Sequence, residues 1–247
     1  YQPIGVVAAV TPWNYPISMV TRKVAPALAA GCTIVLKPAE ATPLCAIAVF
    51  DILHEAGLPA GVANLVTTLD PAPVGKEFCT NPKVKKLTFT GSTAVGKKLS
   101  QDAAPQLKRV ALELGGHAPF IVFDDADPIH AAKGASLVKF LNTGQACISP
   151  NRIFVQRGIL DSFIQTFTER VAKMKAGNGL ESEVSIGPLV NHAAVEKVSR
   201  QVEDALKKGA ILHSGGKPLS GGQYSSGHFY APTVLSNVSE DMVIYRE

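Results

Sequence analysis

The feature that most constrains the fold is a series of five short strand-like segments in the first half of the chain, separated from one another by helical patterns. The first of them is continuously apolar, which is typical of a strand that is buried on both faces. The five segments cover residues 4–10, 32–37, 62–66, 84–89 and 110–114. Strands that alternate with helices pair in parallel through right-handed crossovers. The sequence therefore predicts an α/β fold with a five-stranded parallel sheet and helices on both faces.

Turn and capping residues mark the helices between these strands. Pro16 opens a helix that ends at Gly31, and Thr42 with Pro43 predicts a capped start for the next one. A short helix is expected at residues 74–79. Each helix then returns the chain along one face of the sheet, so that the next strand runs in the same direction.

Gly115 and Gly116 mark a change of unit. Beyond them the pattern predicts strands at residues 120–123, 153–156 and 211–213, and helices at residues 128–140, 160–175 and 193–208. The stretch 214–227 is rich in Gly and Ser and predicts a surface loop. We therefore predict two units, residues 1–114 and 115–247. The chain starts without Met and stops without a closing turn, so we expect a longer protein whose second unit is truncated here at its C-terminal end.

Composition and charge argue against several function classes. The net charge is only +4 at pH 7 and no basic block exceeds two residues, so no nucleic-acid partner is expected. No stretch approaches about 18 consecutive apolar residues, so no membrane span is expected. The six histidines lack metal-ligand spacing, and no metal site is predicted. Scattered thiols fit a reduced, cytoplasmic protein. They belong to Cys32, Cys45, Cys79 and Cys147.

Cys147 is the candidate nucleophile. It ends the segment 142–147, a polar loop with one glycine that follows a predicted helix. A free cysteine is usually a buried structural thiol, and that interpretation suits Cys32 and Cys45, which lie inside apolar runs. Small and polar neighbours instead leave the sulfur of Cys147 approachable, as a nucleophile requires.

Glu113 is the candidate general base. It stands between Leu112 and Leu114 at the end of a predicted strand, where burial would disfavour ionisation and suit a base. The alternative is a strand glutamate on an exposed face. The following pair, Gly115 and Gly116, favours a site, because paired glycines let a ligand approach the backbone.

Polar residues follow the predicted strands at the edge where ligands bind in parallel sheets. Lys37 and Glu40 form either a surface ion pair or a grip on a sugar, in which the carboxylate accepts from two ribose hydroxyls. A carboxylate there would repel a 2′-phosphate, which favours NAD over NADP. Ser92 begins a helix whose free amides attract phosphate, or it is only an N-cap. Asn14 is a turn residue or an amide that donates to an oxyanion.

Taken together, five motifs in this order resemble the aldehyde dehydrogenase superfamily over essentially the whole chain. They lie at residues 11–16, 37–40, 89–92, 113–116 and 144–147. Two tracts, residues 21–26 and 118–124, are most similar to the succinate-semialdehyde dehydrogenase branch. The resemblance implies a Rossmann-like NAD-binding domain at 1–114, part of an α/β catalytic domain at 115–247, and a homodimeric or homotetrameric parent. It implies NAD as cofactor, with NADP possible, and as substrate a small aldehyde, specifically a semialdehyde such as succinate semialdehyde.

The resemblance also implies roles for individual residues. Cys147 would be the nucleophile, Glu113 the general base, and Asn14 with the Cys147 amide the oxyanion site. A thiolate adds to the aldehyde, a hydride passes to nicotinamide, and water activated by the base releases the acid. The implied cofactor contacts are Thr11, Pro12, Trp13, Lys37, Pro38, Ala39, Glu40, Gly75, Phe89, Thr90, Gly91, Ser92, Val95, Leu114 and Gly115.

Some positions depart from the branch that the chain resembles. The branch has two arginines that bind a substrate carboxylate. This chain has the first of them, Arg22, but Leu141 stands in place of the second, and leucine cannot bind a carboxylate. Ser149 replaces a second cysteine found in some members, and Pro71 and Pro73 replace glycines. An uncharged or cationic aldehyde is therefore the alternative substrate. A truncated chain that only binds nucleotide is the alternative function.

Overall fold

The structure is a computed structural model that describes residues 2–246, and the chain divides into two compact units, Tyr1–Gly115 and Gly116–Glu247. The first unit confirms the predicted five-stranded parallel sheet. Its strands are β1 (Val6–Val10), β2 (Thr33–Lys37), β3 (Ala63–Leu65), β4 (Val84–Gly91) and β5 (Arg109–Leu114). Its helices are α1 (Pro16–Ala29), α2 (Pro43–Glu55), α3 (Pro71–Thr80) and α4 (Thr93–Ala103).

The strand order is β3-β2-β1-β4-β5, so the chain builds one half of the sheet and then crosses β1 to build the other. The carboxyl ends of β1 and β4 therefore lie side by side at the point where the winding reverses. In sheets of this kind a crevice forms outside the strands at that point. The polar segments after β1, β2 and β4 share this edge of the sheet.

The side chains of β1 alternate between the two faces of the sheet, and each set packs with a different pair of helices. Val7 and Ala9 pack with α1 and α2, whereas Ala8 and Val10 pack with α3 and α4. Both faces of the strand are thus apolar, which explains its unbroken apolar sequence. The two cores hold the strand ends, and with them the polar edge, in fixed positions.

The helix α2 begins at Pro43 as predicted, but its capping differs from the sequence prediction, and so does the start of α3. The side chain of Thr42 makes no capping hydrogen bond to α2; its hydroxyl donates instead to the Trp13 carbonyl at 3.5 Å. The helix predicted at 74–79 begins earlier, at Pro71, because Asp70 accepts from the Ala72 amide and proline suits the first helical position. Residues 71–73, which precede the predicted helix, therefore belong to the first turn of α3.

The second unit contains shorter strands and longer helices. Its strands are β6 (Pro119–Val122), β7 (Arg152–Val155), β8 (Ile211–Ser214), β9 (Pro218–Leu219), β10 (Phe229–Tyr230) and β11 (Val234–Ser236). Its helices are α5 (Pro128–Lys139), α6 (Leu160–Ala172), α7 (His192–Lys207) and α8 (Val243–Arg246). The stretch 214–227 is more than the surface loop expected from its glycines. It contains β9, which pairs antiparallel with β10 because Leu219 packs against the buried Phe229.

The described residues also bear on two function classes. Among residues 2–246, every helix is too short or too polar to cross a membrane. In the same part of the chain, no group of three His, Cys, Asp or Glu side chains is arranged to hold a metal ion.

Candidate functional site

The carboxyl edge of the first unit's sheet brings together nearly all of the predicted cofactor contacts. The buried ones are Thr11, Lys37, Pro38, Ala39, Phe89 and Thr90. The half-buried ones are Pro12, Trp13, Gly91 and Leu114, and the exposed ones are Glu40, Ser92, Val95 and Gly115. Gly75 differs, because it lies within α3, where an added Cβ would be 3.5 Å from Leu99 of α4.

Lys37 and Glu40 form an ion pair at the end of β2. Lys37 is 4% exposed, and its ammonium donates to the Pro38 carbonyl at 2.9 Å and to a Glu40 carboxylate oxygen. Burial works to raise the pKa of Glu40, but the hydrogen bond and charge of Lys37 outweigh it and hold this pKa below its ordinary value. The carboxylate is thus ionised at neutral pH, and its charge is partly balanced by the buried lysine.

Backbone contacts tie the ends of the first two strands together. The Thr11 amide donates to the Lys37 carbonyl at 3.1 Å, so the turn after β1 is fixed against β2. Trp13 and Asn14 follow in this turn, both half-buried, just before α1 begins. The candidate oxyanion donor is therefore held on a short, anchored turn of the first unit.

The start of α4 is open to solvent at the end of β4. Ser92 caps the helix by accepting from the Val95 amide at 3.4 Å. Close packing brings this helix to β5, because an added Cβ on Gly96 would be 2.6 Å from Leu114. Within β4, an added Cβ on Gly91 would be 2.5 Å from the Phe89 ring. An exposed helix N-terminus at a strand end is suited to an anion such as phosphate.

Glu113 lies on β5 opposite Thr90, and its side chain is exposed. The burial that its two leucine neighbours predicted is therefore not observed for Glu113. The reason is that β5 is an edge strand of the sheet, so its residues lack a strand on one side. The structure leaves Glu113 accessible to water.

Lys23 is a buried cation that the sequence prediction missed. It is 8% exposed on α1, and its ammonium donates to the Thr88 hydroxyl at 2.9 Å. Burial, together with the nearby Arg22 charge, lowers its pKa to about 8, while the charge of Glu113 opposes this shift. Helical spacing could have revealed it, because Lys23 lies on the same buried stripe as Met19, Val20, Val24 and Ala27.

In the second unit, Cys147 lies on a loop after α5 that we call the nucleophile loop, residues 141–149. Its sulfur belongs to a half-buried side chain, in contrast to the buried Cys32 and Cys79. Asn142 and Thr143 have φ values of 50° and 60°, in the left-handed region that non-glycine residues rarely adopt. The candidate nucleophile is thus carried on a strained loop.

Lys139 fastens the far end of this loop. Its ammonium donates to the Ser149 hydroxyl at 3.2 Å and to the Asn151 side-chain oxygen at 2.8 Å, and the Ser149 hydroxyl donates to the Lys139 carbonyl at 2.9 Å. Burial lowers the pKa of Lys139 to about 8. Sequence reasoning missed this residue too, although it continues the buried stripe of Ala132, Ala135 and Ser136 on α5.

The two residues proposed for substrate recognition lie in different units. Arg22 is exposed on α1 of the first unit. Leu141 opens the nucleophile loop of the second unit and is 46% exposed, an apolar side chain six residues before Cys147.

Comparisons with known proteins agree with the motif analysis. The family model described as "Aldehyde dehydrogenase family" matches residues 1–247. A probable succinate-semialdehyde dehydrogenase [NADP(+)] of Sinorhizobium fredii is 53% identical over 100% of this chain and 49% of its own length. A glutarate-semialdehyde dehydrogenase of Pseudomonas putida is 50% identical over 100% of this chain and 50% of its own length. The chain spans about half the length of the curated relatives it matches.

Solved structures agree as well. The crystal structure of succinate-semialdehyde dehydrogenase from Burkholderia pseudomallei superposes with a TM-score of 0.94 at 51% identity. The match covers 98% of this chain and 49% of that one.

Proposed function

The chain belongs to the aldehyde dehydrogenase family, and on this basis we propose that the polypeptide carrying it oxidises a small aldehyde to the carboxylic acid with NAD or NADP. The observation that carries the proposal is the half-buried Cys147 on its strained, anchored loop. Strained backbone concentrates at functional sites, where surrounding contacts hold it in place.

The first unit has the features that a dinucleotide requires. The exposed start of α4 offers amides to a pyrophosphate, and Lys37 with Glu40 offers a donor and an acceptor to a ribose. Gly91 and Gly96 have no Cβ, which lets the Phe89 ring and the Leu114 side chain pack against the backbone at this edge of the sheet. When bound, the nicotinamide would supply the acceptor for a hydride.

The chain's own residues would perform the remaining steps. The Cys147 thiolate adds to the aldehyde carbon, and Asn14 donates a hydrogen bond to the resulting oxyanion. Loss of hydride from that carbon leaves a thioester on Cys147. Glu113 then takes a proton from water, the hydroxide attacks the thioester, and the acid leaves as the thiolate re-forms. Glu113 is exposed, so water can reach its carboxylate, although the burial that would favour a base is not observed.

The substrate we propose is a semialdehyde such as succinate semialdehyde. The names of the relatives from Sinorhizobium fredii and Pseudomonas putida support this class. The exposed Arg22 can bind a carboxylate. Leu141 favours a second candidate, an uncharged aldehyde, because it places an apolar side chain on the nucleophile loop. Relative kcat/KM for succinate semialdehyde and for an uncharged aldehyde of similar length discriminates between the two.

The test of the reaction is formation of reduced cofactor by the purified polypeptide with a panel of aldehydes. Cys147→Ser should abolish it, whereas the matched control Cys45→Ser, a half-buried thiol on α2, should retain it. Turnover that survives Cys147→Ser contradicts the mechanism. Cofactor binding without turnover would support the alternative of a nucleotide-binding fragment.

A homodimeric or homotetrameric parent and a cytoplasmic location remain predictions. Relatives from Oryza sativa and Arabidopsis thaliana are named as mitochondrial, so the family is not restricted to one compartment. Size-exclusion chromatography with light scattering would measure the oligomeric state. Fractionation of the source cells would give the location.

A further inference from the structure

We propose that Thr143 and Gln145 are positioning residues, which set the place of the Cys147 sulfur by fastening the nucleophile loop to the segment 187–190. The inference rests on the proposed function, because it takes Cys147 as the nucleophile. It concerns residues that neither bear the reacting group nor bind the cofactor.

The backbone of Thr143 shows that an external contact holds the loop. Its φ of 60° is unusual for any L residue, and more so for a β-branched one, whose side chain crowds the backbone there. Asn142 and Gly144 are also left-handed, with φ values of 50° and 78°. Three such residues in a row do not persist unless surrounding structure imposes them.

Thr143 makes a reciprocal pair of hydrogen bonds with Gly187. The Gly187 amide donates to the Thr143 hydroxyl at 3.0 Å, and this hydroxyl donates to the Gly187 carbonyl at 3.3 Å. Because the hydroxyl both accepts and donates, its orientation is fixed. Thr143, whose backbone is strained, is therefore the residue whose side chain is anchored to Gly187.

Gln145 makes the second attachment, two residues before Cys147. Its side-chain oxygen accepts from the Val190 amide at 2.9 Å, and its side-chain nitrogen donates to the Pro188 carbonyl at 3.3 Å. This arrangement uses both ends of the amide. A carboxylate at this position would keep the acceptor and lose the donor.

The segment 187–190 is a firm support, because the core holds it on both sides of these contacts. Ile186 is 1% exposed and packs with Phe229, while Leu189 is 8% exposed and packs with Val202 and Tyr230. The nucleophile loop is thus hydrogen-bonded to a segment that two small hydrophobic cores of the second unit hold in place. Loss of either attachment should let the Cys147 backbone shift, and a displacement of about 1 Å can lower a rate by about a hundredfold.

Two variants test the attachments. Thr143→Val keeps the shape and removes the hydroxyl, and Gln145→Met keeps a similar length and removes both the donor and the acceptor without adding a charge. We expect faster amide hydrogen exchange at Gly187 in Thr143→Val. In both variants we expect kcat to fall by about tenfold to a hundredfold, with the aldehyde KM changing less than about threefold. Thr143→Ser should restore both values, and the matched control Thr166→Val, which removes a hydroxyl from the exposed surface of α6, should change neither.

Two results would overturn the inference. Unchanged exchange at Gly187 in Thr143→Val would show that the hydroxyl does not hold the segment, and unchanged kcat in both variants would show that the attachments do not position Cys147. If Thr143→Val does not fold, Gln145→Met carries both arms, with exchange followed at Val190, whose amide donates to the Gln145 side chain. Activity that survives Cys147→Ser would overturn the proposed function instead, and with it the positioning role, while the exchange result would still report on the attachment.

Discussion

Replacing Lys23 by Met should stabilise the first unit at neutral pH. Lys23 is 8% exposed, and its ammonium has one uncharged hydrogen-bond partner, the Thr88 hydroxyl. Its pKa is lowered from 10.5 to about 8, chiefly by burial. One pKa unit corresponds to about 1.4 kcal/mol, so the folded state carries a penalty of up to about 3 kcal/mol for the charge. Methionine removes this penalty and keeps the length of the side chain.

The net gain is smaller than the full penalty. Thr88 loses its hydrogen-bond donor, which costs about 1 kcal/mol. Water near the end of the side chain also screens part of the charge, so we expect a gain of about 1–2 kcal/mol near pH 7.

The direction in which the stability changes with pH follows from the folded and unfolded pKa values of Lys23. The folded pKa is about 8 and the unfolded one is near 10.5, so between these values the unfolded chain binds more protons. Wild-type stability therefore rises as the pH increases through this window. The advantage of Lys23→Met should be full below about pH 8 and lost near pH 10.5.

Urea unfolding near pH 7 and near pH 10 measures the effect. Trp13 is the single tryptophan and lies in the first unit, so its fluorescence reports on the unit that contains Lys23. The buried Lys139 titrates in the same range, but it is common to both proteins, so its contribution cancels in the difference. The exposed Lys76→Met is the control and should be neutral at both pH values. A difference between wild type and Lys23→Met that does not change with pH would refute the reasoning.

Three further predictions concern the candidate site. Glu40→Ser should shift the ratio of the kcat/KM values for NAD and NADP toward NADP, because it removes a carboxylate next to the ribose position and leaves the Lys37 ammonium. If the full-length protein already prefers NADP with Glu40 intact, the carboxylate does not face the ribose. Leu141→Arg should raise kcat/KM for succinate semialdehyde relative to an uncharged aldehyde by about tenfold, and an unchanged ratio would exclude position 141 from substrate binding. Gly91→Ala should destabilise the first unit by about 1–3 kcal/mol and weaken cofactor binding, because its Cβ would lie 2.5 Å from the Phe89 ring; unfolding and cofactor titrations check both effects.

The sheet was predictable because its strands are short, apolar and separated by helices. Both faces of β1 are buried, so its sequence carries an unbroken apolar signal that no half-exposed strand would give. Local sequence patterns were less reliable for residues whose side chains make contacts that are distant in sequence. Thr42 has the sequence of an N-cap, yet its hydroxyl donates to Trp13, a residue about 30 positions away that no local pattern could reveal.

For the candidate site, the sequence suggested residue types but did not reveal the environments of several of them. Glu113 follows the sequence pattern of a buried residue but lies exposed on an edge strand, a position that depends on the strand order. Lys23 and Lys139 have the sequence of surface lysines, and only their helical spacing hints at burial. The left-handed Thr143 was not predictable, because its contact is with Gly187, 44 residues later in the chain.

The position of β1 at the centre of the sheet also affects how the first unit folds. β1 pairs with β2 early in the sequence, but Val6 pairs with Val84 of β4 only after about 80 residues of chain have been closed into a loop. Contacts this distant in sequence are slow to form. During synthesis, the strands β1 to β3 would be available while the crevice beside β4 did not yet exist. Chains shorter than the end of β4 can therefore build half of the sheet but no cofactor edge, and they expose the open side of β1 to aggregation until β4 arrives.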